Sequence, residues 1–287
     1  MPIHRALLGK TYSGFEPFVV TAAGALAYAH ATNARIAAYQ GTHAMAPPMY
    51  GVAYALSALG TPLFDPDLGV DMMRLVHAEQ DMQFLQAVWP GDVITSTSTI
   101  AGIEEKSVGE LLTIAVECKN QRGDVVLHAR SGLMSRGPRK RDKDALAAER
   151  AKRNEDPFES APVLWRRTES VAPDQSARYA EASGDINPIH LDDDVAKMAG
   201  LPGIILHGLC SMAFIHNALV EHVGGDPLRV ARLFVRFARP ILMGDTLTIE
   251  ARGTAQNPLF RMQNQAGVVV VANGAADVLP VSPVGAH

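Results

Sequence analysis

The sequence predicts an α+β protein made of two similar units, each an antiparallel β-sheet wrapped around a central α-helix. Three observations support this fold class. Each half contains one helix-length run without a polar face, at residues 49–59 and 204–223, and such a helix is expected to be buried on all sides. Alternating, β-branched runs typical of strands accompany these helices. The order of signals in the first half recurs about 150 residues later.

Length and composition indicate a large globular chain. Its 287 residues suffice for one large domain or two ordinary ones, and 47% hydrophobic with 20% charged residues is typical of a globular protein. A net charge of −4 offers no basic footprint for nucleic acid. The two cysteines make no disulfide framework, and no signal peptide, membrane span or peroxisomal address is visible. We therefore expect a cytoplasmic protein without nucleic-acid or membrane partners.

The first half reads in order as helices followed by strands. An Ala-rich stretch predicts a helix at 21–39, ahead of the apolar helix at 49–59. Trp89-Pro90-Gly91-Asp92 marks a turn. Strands are then predicted at 93–100, 111–119 and 125–133, the last two joined by the turn at 120–123.

A densely charged segment separates the two halves. It contains almost no large apolar residues, as is typical of a solvent-exposed linker. We place an N-terminal half at 1–137, the linker at 138–160 and a C-terminal half at 161–287. The basic run Arg139–Arg141 could bind phosphates of coenzyme A, but a solvated connector explains the same composition.

The second half repeats particular residues of the first in the same order. A repeat of this length indicates a duplicated domain rather than a solenoid. The matching pairs are Tyr28 with Tyr179, Phe84 with Phe237, Gly91-Asp92 with Gly244-Asp245, and Asn120–Gly123 with Asn264–Gly267.

The stretch from Tyr179 to Ala196 holds the strongest candidate site. It contains a carboxylate, Asp185, and an imidazole, His190, five positions apart. Helical neighbours lie three or four positions apart, so one helix would not set these groups side by side. We therefore predict a loop, and catalytic groups are often found on loops held by a rigid scaffold.

Local chemistry supports this loop and also explains it without catalysis. Pro188 disfavours a helical conformation at Asn187, so the preceding helix should end near Ser183-Gly184. The sequence Gly-Asp-x-Asn-Pro is good turn chemistry by itself. The acidic run at 192–194 fits the first turn of the next helix.

The same stretch resembles the hydratase 2 signature of MaoC-like (R)-specific enoyl-CoA hydratases. Ala182 departs mildly, because a larger aliphatic residue or glycine is usual at that position. The duplicated unit resembles the hot-dog fold, so the whole chain resembles a double hot dog whose halves pair through their sheets. The signature is specific in the second half only, and the matching residues are Tyr179, Ser183, Gly184, Asp185, Asn187, Pro188, Ile189, His190 and Ala196.

This resemblance implies a hydro-lyase that adds water syn across a 2-enoyl thioester, giving the (R)-3-hydroxyacyl product, or removes it in reverse. It implies that Asp185 takes the water proton, that His190 supplies the C2 proton and that Asn187 orients them. The backbone N–H of Gly208 would stabilise the oxyanion, although close helix packing also explains this glycine.

The resemblance further implies an acyl-CoA or acyl-carrier-protein thioester as the substrate and no separate cofactor. It leaves room for a homodimer. No metal is expected, because His207, Cys210 and His216 do not converge on one face of a helix.

Two other functions stay open at this point. A hot-dog acyl-CoA thioesterase would need a carboxylate facing the substrate from the central helix, and residues 204–220 contain none. A non-catalytic acyl-thioester-binding subunit would not need the Asp185 and His190 pair.

The first half lacks that pair, so we expect it to be catalytically silent. Ungapped alignment places Ala34, Ile36 and Tyr39 opposite Asp185, Asn187 and His190. Small residues on the first central helix lead us to predict that this half shapes the acyl pocket, although close packing explains them as well. These residues are Ala53, Ala55, Ser57 and Ala58.

Overall fold

The computed structural model describes residues 3–41, 43–137 and 156–280. In these ranges the α-helices are α1 (Ala22–Ala31), α2 (Gly51–Gly60), α3 (Pro157–Ser160), α4 (Gln175–Ser183), α5 (Asp193–Met198) and α6 (Gly208–His222). The strands are β1 (Thr11–Tyr12), β2 (Phe18–Val19), β3 (Leu75–Phe84), β4 (Val93–Lys106), β5 (Gly109–Lys119), β6 (Val125–Arg136), β7 (Val163–Ser170), β8 (Val230–Phe237), β9 (Thr246–Gly253), β10 (Pro258–Asn264) and β11 (Val269–Val278). None of the helices in these ranges is long and apolar enough to cross a membrane.

One antiparallel sheet runs through both halves. Its strand order is β1-β4-β5-β6-β3-β8-β11-β10-β9-β7, with β2 pairing with β4. The seam is the β3–β8 pair, where Asp81 lies opposite Phe234. The guanidinium of Arg232 donates two hydrogen bonds across this seam to the Asp81 carboxylate, at 2.8 and 2.6 Å. The expected pairing of the halves through their sheets is therefore confirmed.

The two apolar helices are the central helices of the two units. Every residue of α6 from Cys210 to Val220 is buried, as predicted for a helix without a polar face. The same prediction is wrong for α2, where Ser57 is exposed and Leu56 is partly exposed. Each helix also begins later than predicted. Ile205 and Leu206 are extended because they pair with residues 241–242.

The Ala-rich helix is shorter than its composition predicts. Helix α1 ends at Ala31, and residues 37–39 form a separate 3-10 turn. Asn33 has a φ of 54°, a left-handed conformation that ends helices. Gly184 holds the same place after α4, with a φ of 79°. Alanine favours helix in general, but this stop signal overrides it.

Side-chain contacts repeat between the halves and confirm the duplication. The amide of Gln121 donates to Asp92 at 2.9 Å, and the amide of Gln265 donates to Asp245 at 2.8 Å. In both copies the glutamine oxygen accepts the N–H of the residue after the aspartate, at 3.0 and 2.9 Å.

The halves also meet where α1 packs against α4. The rings of Tyr28 and Tyr179 lie 5.6 Å apart. Gln175 donates to the carbonyl of Ala31 at 2.6 Å, and Asn217 donates to that of Thr32 at 2.8 Å. These contacts anchor the end of α4, from which the candidate loop begins, to the first half.

Residues 138–155 of the predicted linker, with Arg139–Arg141, lie outside the described residues. The end of that segment is helix α3, which packs against β10. Phe158 is buried there beneath the guanidinium groups of Arg252 and Arg261, at 4.8 and 4.3 Å from its ring. Residues 156–160 of the predicted linker thus pack against the second half, and the domain boundaries stay a prediction.

Candidate active site

The loop after α4 forms as the sequence predicts. Helix α4 ends at Ser183 with Gly184 in the left-handed conformation, and the N–H of Asp185 donates to the Ser183 hydroxyl at 3.2 Å. A 3-10 turn over Pro188–His190 follows. The acidic run then begins α5, capped by Asp192.

Asn187 connects the two candidate catalytic residues within this loop. Its backbone N–H donates to Oδ1 of Asp185 at 3.2 Å. Its side chain accepts the N–H of Ile189 at 3.4 Å at the start of the turn that carries His190. These contacts suit an orienting residue, and the role stays a prediction.

His190 is a buried imidazole, and one of its ring nitrogens is hydrogen-bonded. Its Nδ1 lies 2.8 Å from the carbonyl oxygen of Ile205. A carbonyl oxygen only accepts, so Nδ1 carries the hydrogen and Nε2 of the neutral ring has a free lone pair. Burial lowers the pKa of His190, although the Ile205 carbonyl and the charge of Asp185 partly oppose this shift. At neutral pH the ring is therefore a proton acceptor.

Asp185 and His190 lie together, as predicted, and a third residue joins them. Asp185, His190 and His207 each offer one atom that could bind a metal, and these three atoms all lie within 4.8 Å of one another. The rings of His190 and His207 are stacked with centroids 3.8 Å apart and planes 25° apart. Lone pairs of near-parallel rings do not converge on one ion, as a tetrahedral site requires. The expectation of no metal stays a prediction.

Gly208 is the first residue of α6. Its N–H has no preceding carbonyl within the helix to donate to, and it lies at the positive end of the helix dipole. A Cβ at this position would be 3.1 Å from the ring of Phe237. Close packing therefore accounts for the glycine, while the free amide fits an oxyanion.

A largely apolar cavity extends from Asp185 into the first half. In the second half it is lined by Tyr179, Ser183 and Leu209. Its far wall comes from the first half, and the residues there include Val52, Ala55, Leu56 and Leu59 of α2 with Gln80 and Met82 of β3.

The first half also brings a polar group that the sequence did not indicate. Nε2 of His77 lies 3.0 Å from Oε1 of Gln80, which also accepts from the Ser131 hydroxyl at 2.6 Å. Burial lowers the pKa of His77, partly opposed by Gln80 and by the charge of Asp185. A strict strand would place His77 and Gln80 on opposite faces. An irregularity between His77 and Glu79 prevents this, and nothing in the sequence signals it.

The first-half equivalents of the candidate catalytic residues are packed into the core. Ala34 and Tyr39 are buried, and within the described residues the Tyr39 hydroxyl has no hydrogen-bond partner. Neither offers the carboxylate or imidazole of the second half. This is consistent with a first half without catalytic activity, which stays a prediction.

Family models match both halves of the chain. The MaoC like domain matches residues 156–275, and the FAS1-like dehydratase domain region matches residues 19–129. The chain therefore consists of a FAS1-like dehydratase domain region followed by a MaoC like domain. It is thus a hydro-lyase, as the sequence predicted.

Similar proteins carry consistent names. The probable enoyl-CoA hydratase 2 of Dictyostelium discoideum is 29% identical over 221 residues, covering 74% of this chain and 72% of that protein. The 3-hydroxyacyl-thioester dehydratase Y of Mycobacterium tuberculosis is 27% identical over 200 residues, covering 66% of each. The peroxisomal multifunctional enzyme type 2 of Mus musculus is 28% identical over 83% of this chain, which spans 32% of that larger protein.

Solved structures confirm the α+β double hot-dog fold. A MaoC-like dehydratase from Phytophthora capsici has a TM-score of 0.78 at 23% identity, covering 96% of this chain and 98% of that one. A Mycobacterium tuberculosis protein described as a double hot dog has a TM-score of 0.59 at 14% identity, covering 95% and 96%.

Proposed function

We propose that this chain is an (R)-specific 2-enoyl-CoA hydratase that acts in reverse as an (R)-3-hydroxyacyl thioester dehydratase. One observation carries the proposal: a carboxylate oxygen of Asp185 and a ring nitrogen of His190 lie within 4.8 Å of each other, Nδ1 of His190 is bonded to Ile205, and Asp185 lines an apolar cavity together with Leu209, the residue after Gly208. Relatives named enoyl-CoA hydratase 2 and 3-hydroxyacyl-thioester dehydratase support both directions of the reaction. The (R) preference rests on the hydratase 2 signature.

The hydrogen bonding of His190 favours a particular order of proton transfers. Asp185 holds a water molecule while Nε2 of His190 takes one of its protons, and the oxygen adds to C3. The resulting imidazolium is stabilised by the negative charge of Asp185. It then returns a proton to C2. Since one loop carries both groups, hydroxyl and proton arrive on the same face of the double bond, which gives syn addition.

This order differs from the sequence expectation that Asp185 takes the water proton. Nδ1 of His190 is already bonded to Ile205, so Nε2 must gain a proton before it can give one. In this mechanism His190 is the base and then the acid, and Asp185 is the electrostatic partner.

In this mechanism the backbone N–H of Gly208 stabilises the negative charge that develops on the thioester oxygen. Addition at C3 moves negative charge to the thioester oxygen, forming an enolate. A free N–H at the start of a buried helix stabilises such a charge without reorganising. Protonation at C2 then discharges the enolate, so atoms and charge balance with no metal or cofactor.

The cavity of the first half would receive the acyl chain beyond the reacting carbons. Helix α2 reaches the catalytic loop itself, because Cδ2 of Leu56 lies 3.3 Å from where a Cβ of Gly184 would be. The substrate class is therefore an acyl-CoA or acyl-carrier-protein thioester with its chain directed between α2 and β3.

Crotonyl-CoA tests this function against hydrolysis. We expect the enoyl absorbance to fall without release of free thiol, and the 3-hydroxybutyryl product to be the (R) enantiomer. Thiol release with an intact enoyl group would instead support a thioesterase. The carboxylate that such an enzyme needs is missing from the substrate end of α6, whose Glu221 lies in the last turn and pairs with Arg167. No change in either signal would support a binding subunit.

A further inference from the structure

His207 lies directly before α6, and its side chain turns back toward the catalytic loop. Its Nε2 lies 2.9 Å from the carbonyl oxygen of Asp185. Because a carbonyl oxygen only accepts, Nε2 carries the ring hydrogen and donates it. The side chain does not cap the helix that follows, and the residue is 1% exposed. The ring of His207 thus donates its hydrogen bond to the backbone of the catalytic loop.

The same ring stands between the core and His190. It stacks on His190 at 3.8 Å, and the ring of Tyr179 lies 4.8 Å from it. Tyr179 is fully buried and contacts Tyr28 of the first half. His207 therefore contacts both members of the dyad, Asp185 through its backbone and His190 through its ring plane.

His207 remains uncharged under working conditions. Burial, together with the neighbouring His190, lowers the pKa of His207 to about 4. A charged ring in this stack would repel the imidazolium that His190 forms during turnover. A neutral ring does not, so the stack can persist while His190 accepts and returns its proton.

We propose that His207 is a positioning residue of the hydratase reaction. Without touching the substrate, it fixes the backbone of Asp185 and the ring of His190 so that the carboxylate and Nε2 face the same water. Because Gly208 is the next residue, His207 also sets the distance between this pair and the oxyanion amide. The inference rests on the proposed function.

Three substitutions separate the two contacts. His207→Ala removes both, His207→Gln keeps an N–H donor and His207→Phe keeps a ring for the stack. We expect kcat for crotonyl-CoA to fall roughly 10²-fold in His207→Ala, the cost of a small misplacement of reacting groups. KM should stay within about threefold, because the residue does not touch the substrate. His207→Gln and His207→Phe should each recover part of the lost kcat.

His216, on the helix that follows His207, supplies a matched control. It is also fully buried, but its ring packs on Phe84, with centroids 5.2 Å apart, and not on the loop. His216→Ala should lower the melting temperature, because it leaves a cavity, and should leave kcat within about threefold. Equal loss of kcat in His207→Ala and His216→Ala would reduce His207 to a structural role and overturn the inference.

Other outcomes are equally decisive. Unchanged kcat in folded His207→Ala, or a raised KM with normal kcat, overturns the inference alone. If His207→Ala does not fold, the partial variants decide, since wild-type kcat in both would show that neither contact matters. A wild-type protein that is inert toward enoyl-CoAs of every length overturns the proposed function, and the inference falls with it.

Discussion

Asp185 and His190 are the residues on which the proposed chemistry depends. We expect Asp185→Asn and His190→Ala each to leave a folded protein and to lower kcat at least about 10²-fold, the usual scale for a general acid–base group. Turnover of crotonyl-CoA, with circular dichroism as the folding control, measures this. A variant that keeps more than a tenth of wild-type activity would remove its residue from the mechanism.

The protonation state of His190 sets a pH dependence. Hydration needs the neutral ring, and burial lowers its pKa from the ordinary value of 6.5. The acid limb of kcat/KM should therefore lie below pH 6.5. The charge of Asp185 raises the pKa of His190, so the limb of the residual activity in Asp185→Asn should move to lower pH. A pH–rate profile with its limb above pH 6.5, or moving upward, would contradict the assignment.

The burial of His216 leads to a prediction about stability rather than activity. Burial lowers its pKa from 6.5 to about 3, and neither ring nitrogen has a partner within the described residues. The unfolded chain takes up a proton below pH 6.5 while the folded one resists until about pH 3, so stability falls over that range. His216→Leu should raise the free energy of unfolding by about 1–3 kcal/mol, the cost of an unpaired buried polar group.

Urea titration at pH 7.5 and pH 5 tests this prediction for His216→Leu. The variant should also lose less stability than the wild type between the two pH values. An unchanged loss, or a variant less stable than the wild type at pH 7.5, would count against it.

Sequence reasoning found the residues that lie in one loop and missed those that arrive from elsewhere. The Asp185 and His190 pair was predictable because turn chemistry fixes it locally. The sequence marks His207 only as a possible metal ligand, because its contact with Asp185 spans 22 residues. His77 depends on a strand irregularity and on the seam between the halves, and neither leaves a local pattern.

The boundaries of helices and strands are likewise predictable where local sequence sets them and not where distant contacts do. The strands predicted at 93–100, 111–119 and 125–133 match β4, β5 and β6 because their alternation is local. No strand is predicted from the sequence at β3, although β3 forms the seam between the halves. The start of α6 was placed too early, since residues 204–206 are apolar like the helix. They are extended only because a distant strand end pairs with them.

We expect helix α2 to decide which acyl chains fit the cavity. Ala55 lines it, while Ala58 is fully buried and lies outside its lining. Ala55→Leu should therefore lower kcat/KM for long enoyl-CoAs more than for crotonyl-CoA. Ala58→Leu is the matched control, because overpacking should cost stability without changing the ratio between long and short substrates. Equal losses on both substrates in folded Ala55→Leu would refute the pocket assignment.

The whole molecule is a duplicated fold, and we expect only its second half to carry catalytic residues. Two equivalent sites are expected of two identical hot-dog copies, but Ala34 and Tyr39 replace the acid and the imidazole in the first. That half instead contributes residues of α2 and β3 to the cavity beside Asp185. Separate evolution of the halves is feasible because the sheet seam and the Tyr28–Tyr179 contact hold them in one arrangement.

We therefore expect one active site per chain, which can be tested by counting bound substrate. Crotonyl-CoA binding to Asp185→Asn, measured by isothermal titration calorimetry, should saturate at one molecule per chain. Tyr39→Phe should turn over crotonyl-CoA within about threefold of wild type, because a hydroxyl without a partner contributes little at the barrier. Two bound molecules per chain, or loss of turnover in folded Tyr39→Phe, would mean that the first half holds a working site. A homodimer would leave both results unchanged, since each chain carries its own pair of halves.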